Sequence, residues 1–250
     1  LLMKGMFKQA RISRLVTYDP AEALIMPKTT RGSHRSITDE ERKQILKTAE
    51  SHVAGLWVKT MLYCGLRPGE TIALRWKDID LKKKRINITA AKESGSNTIK
   101  EPKSASGIRS VPIPDILSND FKDIKGNPFD HVFTKQQSNE MHTTSSIRCY
   151  WKSFKRALDI QMGAKVHRNQ IILSIVAPDL VPYCLRHTYG TDLQNAGVHI
   201  NVAKYLMGHS DISTTANVYI HTTDEAIDTA ADLVNQHQSK SNKKSEAADI

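Results

Sequence analysis

The chain has 250 residues, of which 39% are hydrophobic and 25% are charged. This balance is typical of globular proteins and excludes an intrinsically disordered chain. No stretch has the roughly 18–20 apolar residues of a membrane-spanning helix, and the three cysteines have no CxxC spacing, which argues against a disulfide scaffold or a thiolate zinc site. We expect a cytoplasmic protein that binds no membrane.

The charge of the chain points to a polyanionic partner. Lys and Arg number 36 against 26 Asp and Glu, a net charge of +10. The excess is concentrated in residues 1–35 and residues 82–103, each with seven basic and two acidic side chains. Because phosphate neutralisation dominates nucleic-acid binding, this pattern favours nucleic acid over a merely solvated basic surface.

The beginning of the chain reads as the end of one domain and the start of another. Since the chain opens at Leu1 rather than at methionine, we expect it to be part of a longer protein. Prolines and a basic, serine- and threonine-rich run predict that residues 1–27 end a preceding domain and that residues 28–36 are a linker. Thr38 and Glu41 have the spacing of a capping box, which predicts a helix that runs to about residue 49.

Helical and alternating patterns then follow each other along the chain. A helix is predicted over His52–Tyr63, with Gly65 as its left-handed cap, and a short helix from Pro68 to Leu74. Alternating or extended segments indicate a small three-stranded antiparallel sheet; they are residues 85–90, 98–102 and 108–113. Apolar residues at helical spacing predict a helix from Thr143, and further helices over Pro182–Asn195, His199–Met207, Asp211–Ile220 and Asp224–Gln236. The fold class is therefore α+β, mainly helical.

Four short segments contain polar side chains that packing alone does not explain. Each segment by itself is a weak signal, because a lone arginine is more often a structural ion-pair partner and a lone tyrosine more often a core residue. They are Cys-Gly-Leu-Arg-Pro-Gly-Glu at 64–70, Glu-Pro-Lys-Ser-Ala-Ser-Gly-Ile-Arg at 101–109, Pro-Tyr-Cys-Leu-Arg-His-Thr at 182–188, and Met-Gly-His-Ser at 207–210 followed by Asn-Val-Tyr at 217–219.

In this order, the four segments resemble the tyrosine recombinase family, the integrases of phages and conjugative transposons, over residues 36–222. The resemblance implies the tyrosine recombinase catalytic fold for residues 37–222, and a core-binding domain of which residues 1–27 are the end. It also implies that residues 223–250, a helix and a polar tail, either close their own core or are exchanged between subunits.

The resemblance assigns roles in breaking a DNA strand. Arg67 and Arg186 grip the non-bridging oxygens of the scissile phosphate, as bidentate guanidinium groups can at any working pH. His209 donates a hydrogen bond to one of these oxygens. Tyr219 attacks the phosphorus and forms a 3′-phosphotyrosine link, while Lys103 protonates the leaving 5′-oxygen.

Neighbouring residues receive supporting roles. Glu70 orients Arg67 or the residues around it, and Lys92, Lys100 and Arg109 are expected to bind DNA. Because Lys92 and Lys100 flank the same hairpin as Lys103, the sequence leaves open which lysine is the general acid; the turn Pro-Lys-Ser-Ala-Ser-Gly-Ile-Arg resembles that of the family and favours Lys103.

One position departs from the family pattern. Tyr183 stands three residues before Arg186, where the family usually has histidine. A phenol donates a hydrogen bond to phosphate, but its ordinary pKa near 10 makes it a poor proton shuttle at pH 7. Either the position tolerates another donor or the deprotonation of Tyr219 is slowed. The adjacent His187 is expected to be structural, since neighbouring helix residues point about 100° apart.

The sequence thus predicts a site-specific DNA recombinase that integrates or excises a mobile element without metal, cofactor or ATP. Its expected partners are double-stranded DNA at specific attachment sites, three further copies of itself in a tetramer, and an accessory DNA-bending or excision factor. The alternatives are a DNA-binding relative with impaired catalysis, for which Tyr183 is the only support, and an enzyme like the type IB topoisomerases.

Overall fold

The computed structural model describes residues 2–25, 34–93, 98–101, 105–122, 124 and 126–219. The chain divides into two compact units, Leu1–Ser33 and His34–Ile250. In the first unit, helix α1 (Leu2–Ile12) has no buried residue, and Lys4 Nζ donates a hydrogen bond to the carbonyl of Glu22 (3.3 Å). Most of the expected linker, and all residues of the expected helix over Asp224–Gln236, lie outside the described residues.

α-Helices account for about half of the second unit within the described ranges. In chain order they are α2 (Asp39–Ser51), α3 (Gly55–Cys64), α4 (Pro68–Ala73), α5 (Asp115–Lys122), α6 (Thr144–Gln161), α7 (Pro182–Asn195), α8 (Ile200–Met207) and α9 (Ile212–Tyr219). Of the helices in the part of the chain that the structure describes, none is long and apolar enough to cross a membrane.

Local sequence explains where several of these helices begin and end. The predicted capping box starts α2, because Thr38 Oγ1 accepts from the Glu41 backbone N–H (3.2 Å) and the Glu41 carboxylate accepts from the Thr38 N–H (2.8 Å). Helix α3 ends at Gly65 in the left-handed conformation (φ 62°), where a Cβ would meet the Tyr189 ring at 2.2 Å. Pro68 opens α4 as predicted.

Within the described residues, the strands form three small antiparallel sheets. Their bounds are β1 (Ile79–Asp80), β2 (Arg85–Ile88), β3 (Ala91–Lys92), β4 (Ile99–Lys100), β5 (Arg109–Pro112), β6 (Lys165–His167) and β7 (Gln170–Leu173). One sheet has the order β1–β2–β5, and its register places Ile86 opposite both Ile79 and Val111. Strands β3 and β4 form a hairpin, and β6 and β7 form another.

The structure corrects the sequence prediction of this sheet. Its third strand is β1 rather than a strand at residues 98–102, since Ile99 and Lys100 pair with β3 only. A strand of two residues is too short to show a recognisable alternation of apolar and polar residues. The β6–β7 hairpin was not predicted; its residues are mostly exposed, and strands without a buried face show no alternation.

The core of the second unit holds the segments from which the site is built. Trp57 on α3, Phe154 on α6 and Leu185 on α7 are fully buried, as is Ile86 on β2. Helix α3 is apolar on nearly all sides and packs on α7. Truncating a buried aromatic side chain of this kind lowers the free energy of unfolding by about 3–5 kcal/mol. Packing of this strength holds α3, and with it the turn that follows α3, against α7.

Candidate active site

The first arginine of the motif lies at the start of α4. Arg67 is the N-cap residue, and its backbone N–H donates to Glu70 Oε2 (2.7 Å). Its guanidinium donates from Nη1 to Glu70 Oε1 (2.8 Å) and from Nη2 to the carbonyl of Gly208 (2.7 Å). The side chain keeps 33% of its surface exposed. Glu70 and the Gly208 carbonyl therefore hold one side of the guanidinium, while part of the side chain faces solvent.

The carboxylate of Glu70 is the counter-charge of the site. It is 4% exposed and accepts two hydrogen bonds from Arg109, at 2.8 and 2.9 Å. Arg186 Nη1 lies 3.9 Å from Glu70 Oε2. Burial by itself raises the pKa of Glu70, but the hydrogen bonds from Arg109 and the charges of Arg109, Arg186 and Arg67 lower that pKa to about 2. Glu70 is therefore ionised at neutral pH.

The second arginine reaches the same place from α7. Arg186 is 4% exposed, and its guanidinium donates to the carbonyls of Gly65 and Met207. Burial, and then the charge of Arg67, lower the pKa of Arg186 to about 9, so that it still carries its charge at pH 7. Two residues 119 positions apart in the chain thus share one electrostatic environment.

Three arginines meet at the carboxyl end of α8. Arg109 Nε donates to the carbonyl of Leu206 (2.8 Å), Arg186 to that of Met207, and Arg67 to that of Gly208 (2.7 Å). The last carbonyls of a helix lack partners within it, and its carboxyl end carries a partial negative charge that favours cations. The end of α8 thus helps to hold three guanidinium groups around one carboxylate, an excess of two positive charges.

His209 follows this helix end directly. Gly208 caps α8 in the left-handed conformation (φ 61°), and His209 Nδ1 lies 2.9 Å from Thr215 Oγ1 on α9. Burial, followed by the charges of Arg186, Arg67 and Arg109, lowers the pKa of His209 to about 4. The imidazole is therefore neutral at pH 7, and when its Nδ1 accepts from Thr215 its proton is on Nε2, where it can be donated.

The family model described as the phage integrase family matches residues 35–226. The chain belongs to this family. Among curated relatives, it is 28% identical over 227 residues to a tyrosine recombinase XerC-like protein of Caldanaerobacter subterraneus (80% of this chain, 54% of the relative). It is 25% identical to the tyrosine recombinase XerD of Pseudomonas putida (88% and 68%) and 26% identical to the transposase of transposon Tn916 of Enterococcus faecalis (75% and 48%).

Solved structures agree on the fold. The Tn1549 transposon integrase in complex with transposon right end DNA superimposes with a TM-score of 0.68 at 20% identity, over 93% of this chain and 76% of that one. The catalytic domain of bacteriophage HP1 integrase gives 0.50 at 19% identity, over 80% and 95%. The predicted tyrosine recombinase catalytic fold is thus confirmed. The chain spans about half to seven-tenths of the length of the curated relatives named above.

Tyr183, the departure from the integrase pattern, lies on the first turn of α7 beside the arginines. It lines a cavity of about 520 Å³ together with Arg67, Glu70 and Lys92. The residue is 42% exposed, and its ring stacks on that of His34, with centroids 5.3 Å apart and planes 16° from parallel. The phenol therefore borders the open side of the integrase site.

The structure corrects the prediction that Arg109 binds DNA. Its side chain has no exposed surface, and its guanidinium is bonded to Glu70 and to the end of α8. No sequence pattern marked Thr215 or the three carbonyls at the end of α8 as parts of the site. Gly208 was the one usable signal, because a glycine after an apolar helix predicts a left-handed cap preceded by carbonyls that need donors.

The remaining predicted residues of the integrase site are placed as follows. Lys92 on β3 is buried, and its Nζ donates to Thr144 Oγ1 (2.6 Å). Lys100 on β4 is exposed and forms an ion pair with Glu93 (2.7 Å). Lys103 lies outside the described residues, and Tyr219 is the last residue of α9, with a side chain that also lies outside them.

Proposed function

We propose that this chain is the catalytic part of a site-specific DNA recombinase that works in the cytoplasm to integrate or excise a mobile element. The observation that carries the proposal is the convergence of Arg67, Arg186 and His209 on the carboxyl end of α8, in a site with excess positive charge. Relatives named as tyrosine recombinases and as a transposon's transposase support the same conclusion.

The charges of the site suit a phosphodiester in its transition state. Attack by an oxygen nucleophile adds negative charge to the non-bridging oxygens, and a preorganised positive field stabilises that charge. Arg67 and Arg186 each have five N–H donors, of which their bonds inside the protein use only some. His209 and Tyr183 add neutral donors. Such a site needs no divalent metal to balance the phosphate charge.

Two groups complete the proposed reaction. The oxygen of Tyr219 loses its proton to solvent and attacks the phosphorus, and the bond from phosphorus to the 5′-oxygen breaks. Lys103 gives that oxygen a proton and regains one from solvent. General acid assistance of this kind is worth roughly 10²–10⁴-fold in rate. The ester between phosphorus and Tyr219 replaces the ester between phosphorus and the 5′-oxygen. Because the phosphoester bond is conserved, the 5′-hydroxyl of a second strand can attack it and release Tyr219 without ATP.

The proposed substrate is duplex DNA at specific attachment sites. We propose that four copies assemble on two such sites with an accessory DNA-bending or excision factor. The net charge of +10 supports binding to phosphates. Strand exchange between two duplexes requires four cleavages, which is why four protomers are proposed.

A covalent-adduct assay tests the proposal. A nicked duplex, selected beforehand for tight binding from a random-sequence library, loses the fragment beyond the nick on cleavage and traps the protein on DNA. We expect wild type to form the adduct in EDTA without ATP, Tyr219→Phe to form none, and the exposed control Tyr18→Phe to match wild type. DNA binding without an adduct would favour the impaired relative, and relaxation of any plasmid regardless of sequence would favour a topoisomerase-like enzyme.

A further inference from the structure

The first residues of the second unit form a strap along α7. We call His34–Ile37 the amino-terminal strap. Arg35 bridges Asp179 (2.9 Å), in the turn before α7, and Glu41 (2.7 Å). The other two bonds of the strap reach α7 itself: Ser36 Oγ bonds Thr191 Oγ1 (2.7 Å), and the Ile37 N–H donates to Thr188 Oγ1 (2.9 Å). Ser36, expected in the linker, is thus bound to the helix that carries Arg186, and Arg35 is bound to the turn that precedes this helix.

The first residue of the strap, His34, places its aromatic ring on that of Tyr183. The His34 and Tyr183 rings lie at the centroid separation and near-parallel angle of an offset stack. Because Arg35 is anchored to two carboxylates, the backbone next to His34 is held in place. The strap therefore presents the imidazole to Tyr183 at a defined position.

Tyr183 needs such a restraint. It lies on the first turn of α7, where no preceding helical turn limits its rotamers, and 42% of its surface is exposed. A hydroxyl that donates to a phosphate must be directed within a few tenths of an ångström, and sites left loose by about 1 Å lose much of their effect. Because a ring that is already stacked on a fixed partner has few orientations, it loses little conformational entropy when DNA binds.

We propose that His34 is a positioning residue for the cleavage step: its ring, stacked on Tyr183, directs the phenol toward the scissile phosphate. This inference rests on the proposed recombinase function. His34 positions Tyr183 through the stacking surface of its ring, and neither the charge nor the hydrogen-bonding nitrogens of the imidazole are required. His34 compensates in this way for the longer phenol at a position where the family usually has histidine.

Single-turnover cleavage of the selected nicked duplex tests the role of the ring. We expect His34→Ala to lower the rate constant of adduct formation about three- to tenfold, the range that a lost aromatic pair predicts, with the Kd for DNA unchanged within about twofold. His34→Phe keeps the ring without the imidazole chemistry and is expected to restore the rate. His167→Ala, which removes an exposed histidine from β6, is the matched control and is expected to match wild type.

A double-mutant cycle tests whether His34 acts through Tyr183. In the Tyr183→Phe background, which keeps the ring and removes the hydroxyl, His34→Ala is expected to add little further loss. The proposal is overturned if His34→Phe is as slow as His34→Ala, if the loss is equal in both backgrounds, or if the Kd for DNA accounts for it. If wild type forms no adduct, both the proposed function and this inference are wrong. If wild type cleaves and His34→Ala cleaves equally well, only the inference is wrong.

Discussion

At the scale of single residues, one carboxylate organises the charges of the site. Glu70 bonds Arg67 and Arg109 directly and lies 3.9 Å from Arg186. Removing one partner of a buried ion pair leaves an uncompensated charge, whose cost exceeds the net value of the pair. Without Glu70, three guanidinium groups would face each other with only helix carbonyls to balance them. The carboxylate thus allows Arg67 and Arg186, the two arginines proposed to bind the phosphate, to stay close together.

Substitution of Glu70 tests this role through stability. We expect Glu70→Gln to lower the free energy of unfolding at pH 7 by about 3–5 kcal/mol, as for other broken buried pairs. Since the pKa of Glu70 is about 2 in the folded protein and ordinarily near 4.5, its contribution is complete above pH 4.5 and is lost as the pH falls toward 2. Urea unfolding at pH 7, 5 and 3.5 measures it.

The difference between wild type and Glu70→Gln should stay constant from pH 7 to 5 and shrink at pH 3.5. The exposed control Glu140→Gln, which removes a carboxylate paired with Lys135 at the surface, should leave the free energy of unfolding nearly unchanged. A Glu70→Gln protein as stable as wild type at pH 7 would contradict the counter-charge role.

At the scale of elements, the carboxyl end of α8 connects the arginines to the predicted nucleophile. Its carbonyls accept from Arg67, Arg109 and Arg186, His209 follows at once, and α9, which ends at Tyr219, packs on α7 and α8. Gly208 permits this arrangement, because a Cβ there would lie 2.8 Å from Arg109 Nη1. The shape of one helix end therefore sets the positions of three proposed catalytic side chains.

Two glycine substitutions separate backbone strain from this contact. Gly197 and Gly208 both have positive φ, 70° and 61°, but a Cβ at Gly197 would meet no atom within 4 Å. We expect Gly197→Ala to lose about 1–2 kcal/mol of stability from the left-handed backbone alone and to cleave DNA normally. Gly208→Ala should lose more and form the adduct at least about tenfold more slowly, because the arginines and His209 shift. Thermal unfolding and the nicked-duplex assay measure the two effects, and equal behaviour of both variants would contradict the proposed role of this contact.

At the scale of the whole molecule, positive charge is the property that acts at a distance. The chain has a net charge of +10, yet the structure divides its basic groups between two uses. Arg109 and Arg186 are buried and hold the site together, whereas Lys100 is exposed on β4. Only exposed groups exchange counterions with DNA phosphates. The count of basic residues thus overstates the surface that is open to DNA.

Salt dependence of DNA binding measures that surface. We expect the logarithm of the Kd to rise linearly with the logarithm of salt concentration, and Lys100→Gln to lower the slope by about one. Lys135→Gln, which removes a lysine paired with Glu140 outside the site, is the matched control and should leave the slope unchanged. Equal slopes for wild type and Lys100→Gln would remove Lys100 from the proposed DNA contacts.

The sequence by itself determined the local features of this protein and its family. The capping box at Thr38, the cap at Gly65 and the bounds of α7 follow from short-range preferences that act within a few residues. The order of four motifs sufficed to indicate the integrase resemblance. These features need no knowledge of what lies across the fold.

Only the tertiary structure decided which polar groups face each other. Arg67 bonds a carbonyl 141 residues away, Arg109 one 97 residues away, and His34 stacks on a ring 149 positions further along the chain. The motif around Arg109 cannot show whether a guanidinium points to DNA or to a buried carboxylate, because both partners are anions that it binds equally well. The choice depends on where the core places the end of α8, and that placement is the sum of packing over the whole unit.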